Sequence, residues 1–292
     1  MAGAVRPERR KILAATVAAS TALVLALAKT AVALATGSLV VLASAVDSLM
    51  DVACSGLNAY FLRVAADPPD AEHAYGHGKA EALSGVVQAV IIAMTGVWLV
   101  GRGVWRLVQP EHITRPEAGV VIAAISLLLS VALVAYLRHE AQATRSLALR
   151  ADAFHYVTDI ATNLVAGLAL VGYRILGWRA LDPVASIMIA VYIVWSSLGI
   201  LRDAAEELLD RGLPHEVEDQ VKELLHGFAP EVRGYRAFRS RHAAGTSFIE
   251  FRLLLDRSAS FQRTHEITES AIRRIRERHG EHTEVMIDTD PV

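Results

Sequence analysis

Apolar positions along the chain fall into six long blocks, at 12–35, 39–64, 82–108, 116–137, 150–174 and 180–201, and the pattern changes after residue 203. About 20 apolar residues at a rise of about 1.5 Å each cross the hydrocarbon of a bilayer, so each block is long enough to span one. The pattern therefore predicts six membrane helices, an even number that puts both termini on one side. Thr36-Gly37-Ser38 is short enough to join the first two as a hairpin. Pro110 lies in the link before the fourth block, which Pro116 opens, and Gly177 and Pro183 fall in the link near 175–183 at the start of the sixth. Longer polar links occupy 65–81 and 138–149.

Beyond residue 203 the periods are those of a water-soluble domain. Residues 215–227 and 261–279 repeat apolar positions at helical spacing and are closed by Gly227 and Gly280. Residues 232–241 and 246–256 alternate as two strands around Ala243-Ala244-Gly245, and Thr283 to Asp288 form a third. A helix–strand–strand–helix–strand order packs as a small α+β sheet with helices on one face. The expected division is an N-terminal segment at 1–11, a membrane all-α six-helix bundle at 12–203 and an α+β domain at 204–292.

Composition sharpens this division. The chain is 53% hydrophobic and 21% charged, and 18 of its 31 acidic residues lie in 203–292. A formal net charge of −2 offers no excess of basic charge for nucleic acid. Arg6, Arg9, Arg10 and Lys11 precede the first block, and Arg138, Arg145 and Arg150 lie around the fourth-to-fifth link. The positive-inside rule assigns that side, with both termini, to the cytoplasm. Arg102, Arg106, Arg115, Arg174 and Arg179, toward the other face, weaken the bias. The first block is too long for a signal-peptide core and reads as a retained span of a multi-pass protein of the cytoplasmic membrane. Cys54, the one cysteine, sits in an apolar run and reads as a buried thiol. The chain has no Walker A sequence and no HExxH, so neither an ATP-driven pump nor a zinc protease finds support.

The second block places Asp47 and Asp51 at i and i+4, and the fifth places His155 and Asp159 at the same spacing. An aspartate near the bilayer centre costs about 2.5–3.5 kcal/mol on insertion scales, and like charges on one helix face repel. Two matched pairs supply four N/O ligands, the number a tetrahedral zinc-like ion takes. The alternative is that these acids form interhelical hydrogen bonds or pair with Lys29. In the 65–81 link, Asp70, His73 and His77 crowd together, with Gly76 and Gly78 permitting tight turns. They suit a second, exposed metal, or else form a solvated loop with titrating histidines.

Three stretches carry a resemblance: Ser38 to Asp51, HAYGHGKAEAL in the second-to-third link, and LRADAFHYVTD in the fifth block. With the domain order, they resemble the cation diffusion facilitator family, six-span metal/proton antiporters, in its bacterial iron/zinc-type branch. The resemblance covers nearly the whole chain. It implies a homodimer in the lipid membrane, a transport site in each protomer, and a cytoplasmic tail of ferredoxin-like, metallochaperone-like fold that mediates dimer contact. By position it implies Asp47, Asp51, His155 and Asp159 as the transport site and Asp70, His73 and His77 as a loop metal site. It also implies a charge interlock of Lys79 with Asp210. In the tail, the family's binuclear zinc ligands fall at Arg236, Arg252, Asp288 and Asp290, with His265 retained. Arginine has only donors and cannot ligate a cation, so any tail metal is left to His265, Asp288 and Asp290. Pairing of Arg236 and Arg252 with Asp288 and Asp290 is the expected replacement.

Metal ligands must be deprotonated, so protons and metal compete for one set of atoms. The expected activity is proton-coupled export of a divalent ion and not enzymatic turnover. The resemblance favours Zn²⁺, and the ligand types also suit Cd²⁺, Fe²⁺, Co²⁺ and Mn²⁺. No organic cofactor is expected. A passive metal-gated channel and a membrane-tethered metal sensor are the rival readings; flux independent of a pH gradient marks the first, and metal-dependent partner binding without flux the second.

Overall fold

The computed structural model of the protein describes residues 7–36, 39–108, 120–176, 181–243, 245–280 and 282–292. The expected turn residues Gly37, Ser38 and Ala244, the breakers Pro110, Pro116 and Gly177, and Arg6, Arg115 and Arg179 lie outside these residues. The chain separates into two compact units, Met1–Ala205 and Glu206–Val292.

The first unit consists of long helices: α1 (Pro7–Thr36), α2 (Leu39–Ala65), α3 (Lys79–Val108), α4 (Val120–Thr144), α5 (Leu147–Leu176) and α6 (Leu181–Leu208). Among the described residues, α1, α3, α4 and α6 are long and apolar enough to cross a membrane. Asp47 and Asp51 lie on α2, and Asp152, His155 and Asp159 on α5. The polar cost of the bundle is thus concentrated in the helices that hold the candidate ligands. Large apolar side chains such as Leu27, Met94, Trp98, Leu128 and Trp195 are exposed, as lipid-facing positions require. Inside, small residues set the packing. Ala14, Ala15 and Ala18 of α1 share a buried cluster with Leu62 of α2, Leu137 of α4 and Tyr156 of α5. Two glycines of α3 sit directly against side chains of α6. A Cβ on Gly96 would fall 2.7 Å from Val194, and one on Gly103 would fall 2.6 Å from Ile187.

The fourth helix differs from the expected span. Its described residues run to Thr144, past the predicted end at 137. The extra turns bring Glu140 beneath Arg10, whose Nε and Nη2 donate to Glu140 at 3.0 and 3.1 Å. Next to it in sequence, Lys11 donates to Glu81 at 2.6 Å, a buried pair joining α1 to the start of α3.

In the second unit, α7 (His215–His226) precedes β1 (Val232–Ala243) and β2 (Thr246–Leu255), and α8 (Phe261–His279) precedes β3 (Thr283–Pro291). The sheet order is β1-β2-β3, with β2 antiparallel to β1 and parallel to β3. Ile249, Phe251, Leu253 and Leu255 alternate inward along β2 and meet Ile267, Ala271 and Ile275 of α8 and Val221 and Leu225 of α7. The Ser260 hydroxyl caps α8 by accepting from the N–H of Arg263. Element order and the inward face agree with the periodicity of the sequence.

Candidate metal centre

The site is built where α2 and α5 face one another. His155 Nε2 lies 3.1 Å from Asp51 Oδ1 and 3.8 Å from Asp159 Oδ2. Candidate ligand atoms of Asp51, His155 and Asp159 all fall within 4.8 Å of one another. Bond lengths of about 2.0–2.2 Å put neighbouring ligand atoms of a tetrahedral zinc shell roughly 3.3 Å apart. The observed separations bracket that value, so one ion could bind all three with small side-chain shifts. Asp159 Oδ2 is buried and has no hydrogen-bond partner, leaving its lone pairs available for a cation.

Asp47 does not join this cluster. It lies one turn earlier on α2 and is exposed. Residues at i and i+4 share a face but sit about 6 Å apart along the axis, and it is Asp51 that meets His155. The expected four-ligand set is therefore three converged ligands with Asp47 adjacent. Lys29 of α1 occupies the same neighbourhood, donating to Ser48 Oγ at 2.8 Å and lying in the field of Asp51, Asp47 and Asp159.

Two further polar residues beside the site, outside its cluster of ligand atoms, escape the paired i, i+4 pattern. Asp152, on α5, is fully buried, and Ser55 of α2 bridges it to Tyr156 with contacts of 3.1 and 2.9 Å. The signal was present in the sequence, because any carboxylate inside a membrane span is costly unless it serves a purpose. Asp152 also stands three residues before His155, on the same helix face.

The loop residues converge as expected from their spacing. Asp70 Oδ1 is 3.6 Å from His73 Nδ1, and Asp70 Oδ2 is 3.4 Å from His77 Nε2. The backbone N–H groups of His73 and Glu72 donate to Asp70 Oδ1 at 2.6 and 2.9 Å. These bonds, that of His73 first, hold the Asp70 carboxyl below the usual carboxylate range. The turn depends on Gly76, whose φ of +82° suits glycine and strains other residues. With its folded pKa depressed, Asp70 favours the folded loop above the ordinary carboxylate pKa, and that contribution is lost as pH falls through the lowered value. At pH 7 Asp70→Asn therefore removes a full charge, and calorimetric titration of the full-length protein is expected to show one fewer metal ion bound per protomer.

The tail ligands do not assemble into such a group. Among the described residues, the three-ligand clusters are the two above, and His265 is exposed on α8. Asp288 and Asp290 are engaged by arginine instead. Strand register sets Arg236 opposite Arg252, a like-charge pair that is unfavourable by itself. Asp290 accepts from Nε and Nη2 of Arg236 at 2.9 and 2.6 Å and lies 3.9 Å from Arg252, which is 3.6 Å from Asp288. Side chains this accessible contribute about 0–1 kcal/mol, so Arg236→Ala is expected to lower the tail's stability to chemical denaturation by less than about 1 kcal/mol. Asp210, at the start of the same unit, pairs with Arg241 at 3.1 Å.

Comparison with known proteins places both units. Residues 15–209 match the cation efflux transmembrane domain, and residues 213–292 match the cation efflux protein cytoplasmic domain. The cation-efflux pump FieF of Pectobacterium atrosepticum is 35% identical over 283 residues, covering 96% of this chain and 92% of that protein. That of Klebsiella pneumoniae is 34% identical over 256 residues, covering 88% and 84%. Among solved structures, the metal-bound C-terminal domain of the CzcD transporter from Thermotoga maritima is 26% identical, covers 26% of this chain and 87% of its own, and has a TM-score of 0.24.

Proposed function

The chain belongs to the cation efflux family, and from that premise we propose that it exports zinc or a similar divalent ion in exchange for protons, through Asp51, His155 and Asp159. As a member of that family it is a multi-pass membrane transporter of divalent cations and not an enzyme. The observation that carries the reading is the meeting of Asp51 with a histidine 104 residues away in another membrane helix, beside a carboxylate with a bare oxygen. One imidazole with carboxylates is a donor set that suits Zn²⁺, Fe²⁺ and Co²⁺, and accepts Cd²⁺, better than it suits Cu⁺.

In the proposed cycle, the ion enters from the face that holds the N-terminus, taken as cytoplasmic, and displaces protons from the three ligands. Asp47, one turn away, swings in as a fourth ligand only once the ion is held by the other three. The helices then rock to open the site outward, where protons displace the ion and return with the empty carrier. Lys29 supports this exchange by holding a fixed positive charge near the carboxylates. The tail is proposed to join two protomers into a homodimer, and Asp70, His73 and His77 to hold a further metal ion.

Purified protein in proteoliposomes tests the proposal metal by metal, with and without a pH gradient. Zinc movement accelerated by an opposing proton gradient, with protons moving the other way, is the expected result. Flux that ignores the gradient would make the protein a passive conductor. Lys29→Met is expected to slow zinc flux by about tenfold, the scale on which outer partners of a metal site act, while Lys29→Arg retains more of it.

A further inference from the structure

Buried polar side chains continue away from the metal ligands toward the helix ends that carry the N-terminus. On α2, Ser55 and Asn58 follow Asp51 at four and seven residues, on one face of the helix. On α5, Asp152 precedes His155 by three. On α3, Glu81, Ser84 and Gln88 stand at i, i+3 and i+7. None of these six is more than 4% exposed. They are linked across helices: Ser55 donates to Asp152, Ser84 donates to Asn58 at 2.9 Å, and Glu81 accepts from Lys11.

This column is under-satisfied. Both polar atoms of Gln88 and Glu81 Oε1 are buried without a hydrogen-bond partner, and Asp152 Oδ2 and Asn58 Nδ2 have only a loose contact with each other. Leaving such atoms bare costs about 1–3 kcal/mol each, so a run of them in one seam calls for mobile occupants that complete their bonding. Water and protons fit that requirement. These groups include acceptors, donors and two carboxylates, whereas a metal path needs converging acceptors. Chains of ionisable and polar side chains inside membrane proteins are how protons cross low-dielectric regions.

We propose that this seam is a proton route, separate from the metal ligands, in which Asp152 takes up the proton released from the site and passes it through water along Gln88, Asn58 and Ser84 to Glu81. The step moves one proton from a site ligand to the Asp152 carboxylate and then to Glu81, with no bond made or broken but those to that proton. The titratable groups around Asp152 are Asp51 and Cys54 on α2 and His155 and Tyr156 on α5; Glu81 with its partner Lys11 stands at the far end, on α3 and α1. The inference rests on the proton-coupled reading above and assigns its protons a path.

The test uses the full-length protein in proteoliposomes and three measurements: zinc/proton exchange followed by an internal pH dye, zinc-for-zinc exchange at equal pH, and equilibrium zinc binding. Asp152→Asn keeps shape and hydrogen bonding but cannot carry a proton. It is expected to lower zinc/proton exchange about 100-fold, the scale of a positioned proton-transfer group, while the other two measurements stay within about twofold. Gln88→Leu, which closes the seam without touching the acid, is expected to slow zinc/proton exchange selectively as well, and Asp152→Glu to restore part of it. Wild-type zinc/proton exchange in Asp152→Asn would overturn the route. So would an equal loss in all three measurements, which marks a structural role. If Asp152→Asn does not fold, Gln88→Leu decides in the same way. Failure of the unmodified protein in zinc/proton exchange would instead sink the transport reading itself, so the two failures are distinguishable.

Discussion

Alanine at His155 is expected to lower zinc flux by more than about 100-fold while the protein still inserts and dimerises. The magnitude follows from geometry. His155 Nε2 is the nitrogen nearest both Asp51 and Asp159, so its loss removes the one atom common to both contacts. Outer partners of a metal site cost about 10–100-fold on mutation, and a ligand itself costs more. Asp51→Ala is expected to behave alike, since it deletes the 3.1 Å contact that joins α2 to α5 at the site. Asp47→Ala is expected to be milder, because its carboxylate lies outside the cluster of three. A vesicle assay across the three variants, with membrane insertion and dimer size checked for each, reads the order directly. Equal flux in His155→Ala and wild type would remove the ligand assignment.

That ordering marks where sequence and structure part. The i, i+4 spacing of Asp47 with Asp51, and of His155 with Asp159, is enough to predict two polar faces. It carries no information about the height at which α2 meets α5. The helices settle so that Asp51 is the carboxylate level with His155, and packing of Ala14, Ala18, Leu62, Leu137 and Tyr156 fixes that height. Long-range packing of this kind has no local sequence signature. The loop site is different. Asp70, His73 and His77 are close in sequence, and the turn at Gly76 follows from local backbone preference, so proximity was legible. In the tail the pairing was legible only through the resemblance: alternation puts Arg252 on the outer face of β2, but it is register with β1 and β3 that brings Arg236 and Asp288 alongside. The buried column was not. Ser55, Asn58, Ser84 and Gln88 are unremarkable polar residues within apolar blocks until three helices bring them together.

Lys11→Met is expected to destabilise the detergent-solubilised protein by about 3–5 kcal/mol, the usual cost of stranding one member of a buried ion pair. Lys11 and Glu81 are 8% and 4% exposed, and their 2.6 Å contact is the one described hydrogen bond to the Glu81 carboxylate. Glu81 Oε1 already lacks a partner, so removing the ammonium leaves a buried charge with nothing to offset it. The double variant Lys11→Met/Glu81→Leu removes both charges and fills the space with apolar groups, which often recovers the loss. It is therefore expected to regain most of the stability in thermal unfolding. If the polar column ends at Glu81, the same double variant should exchange protons slowly despite its restored fold. Stability and coupling would then separate in one protein. A single Lys11→Met variant as stable as wild type would show that the pair is not buried in the membrane-embedded state.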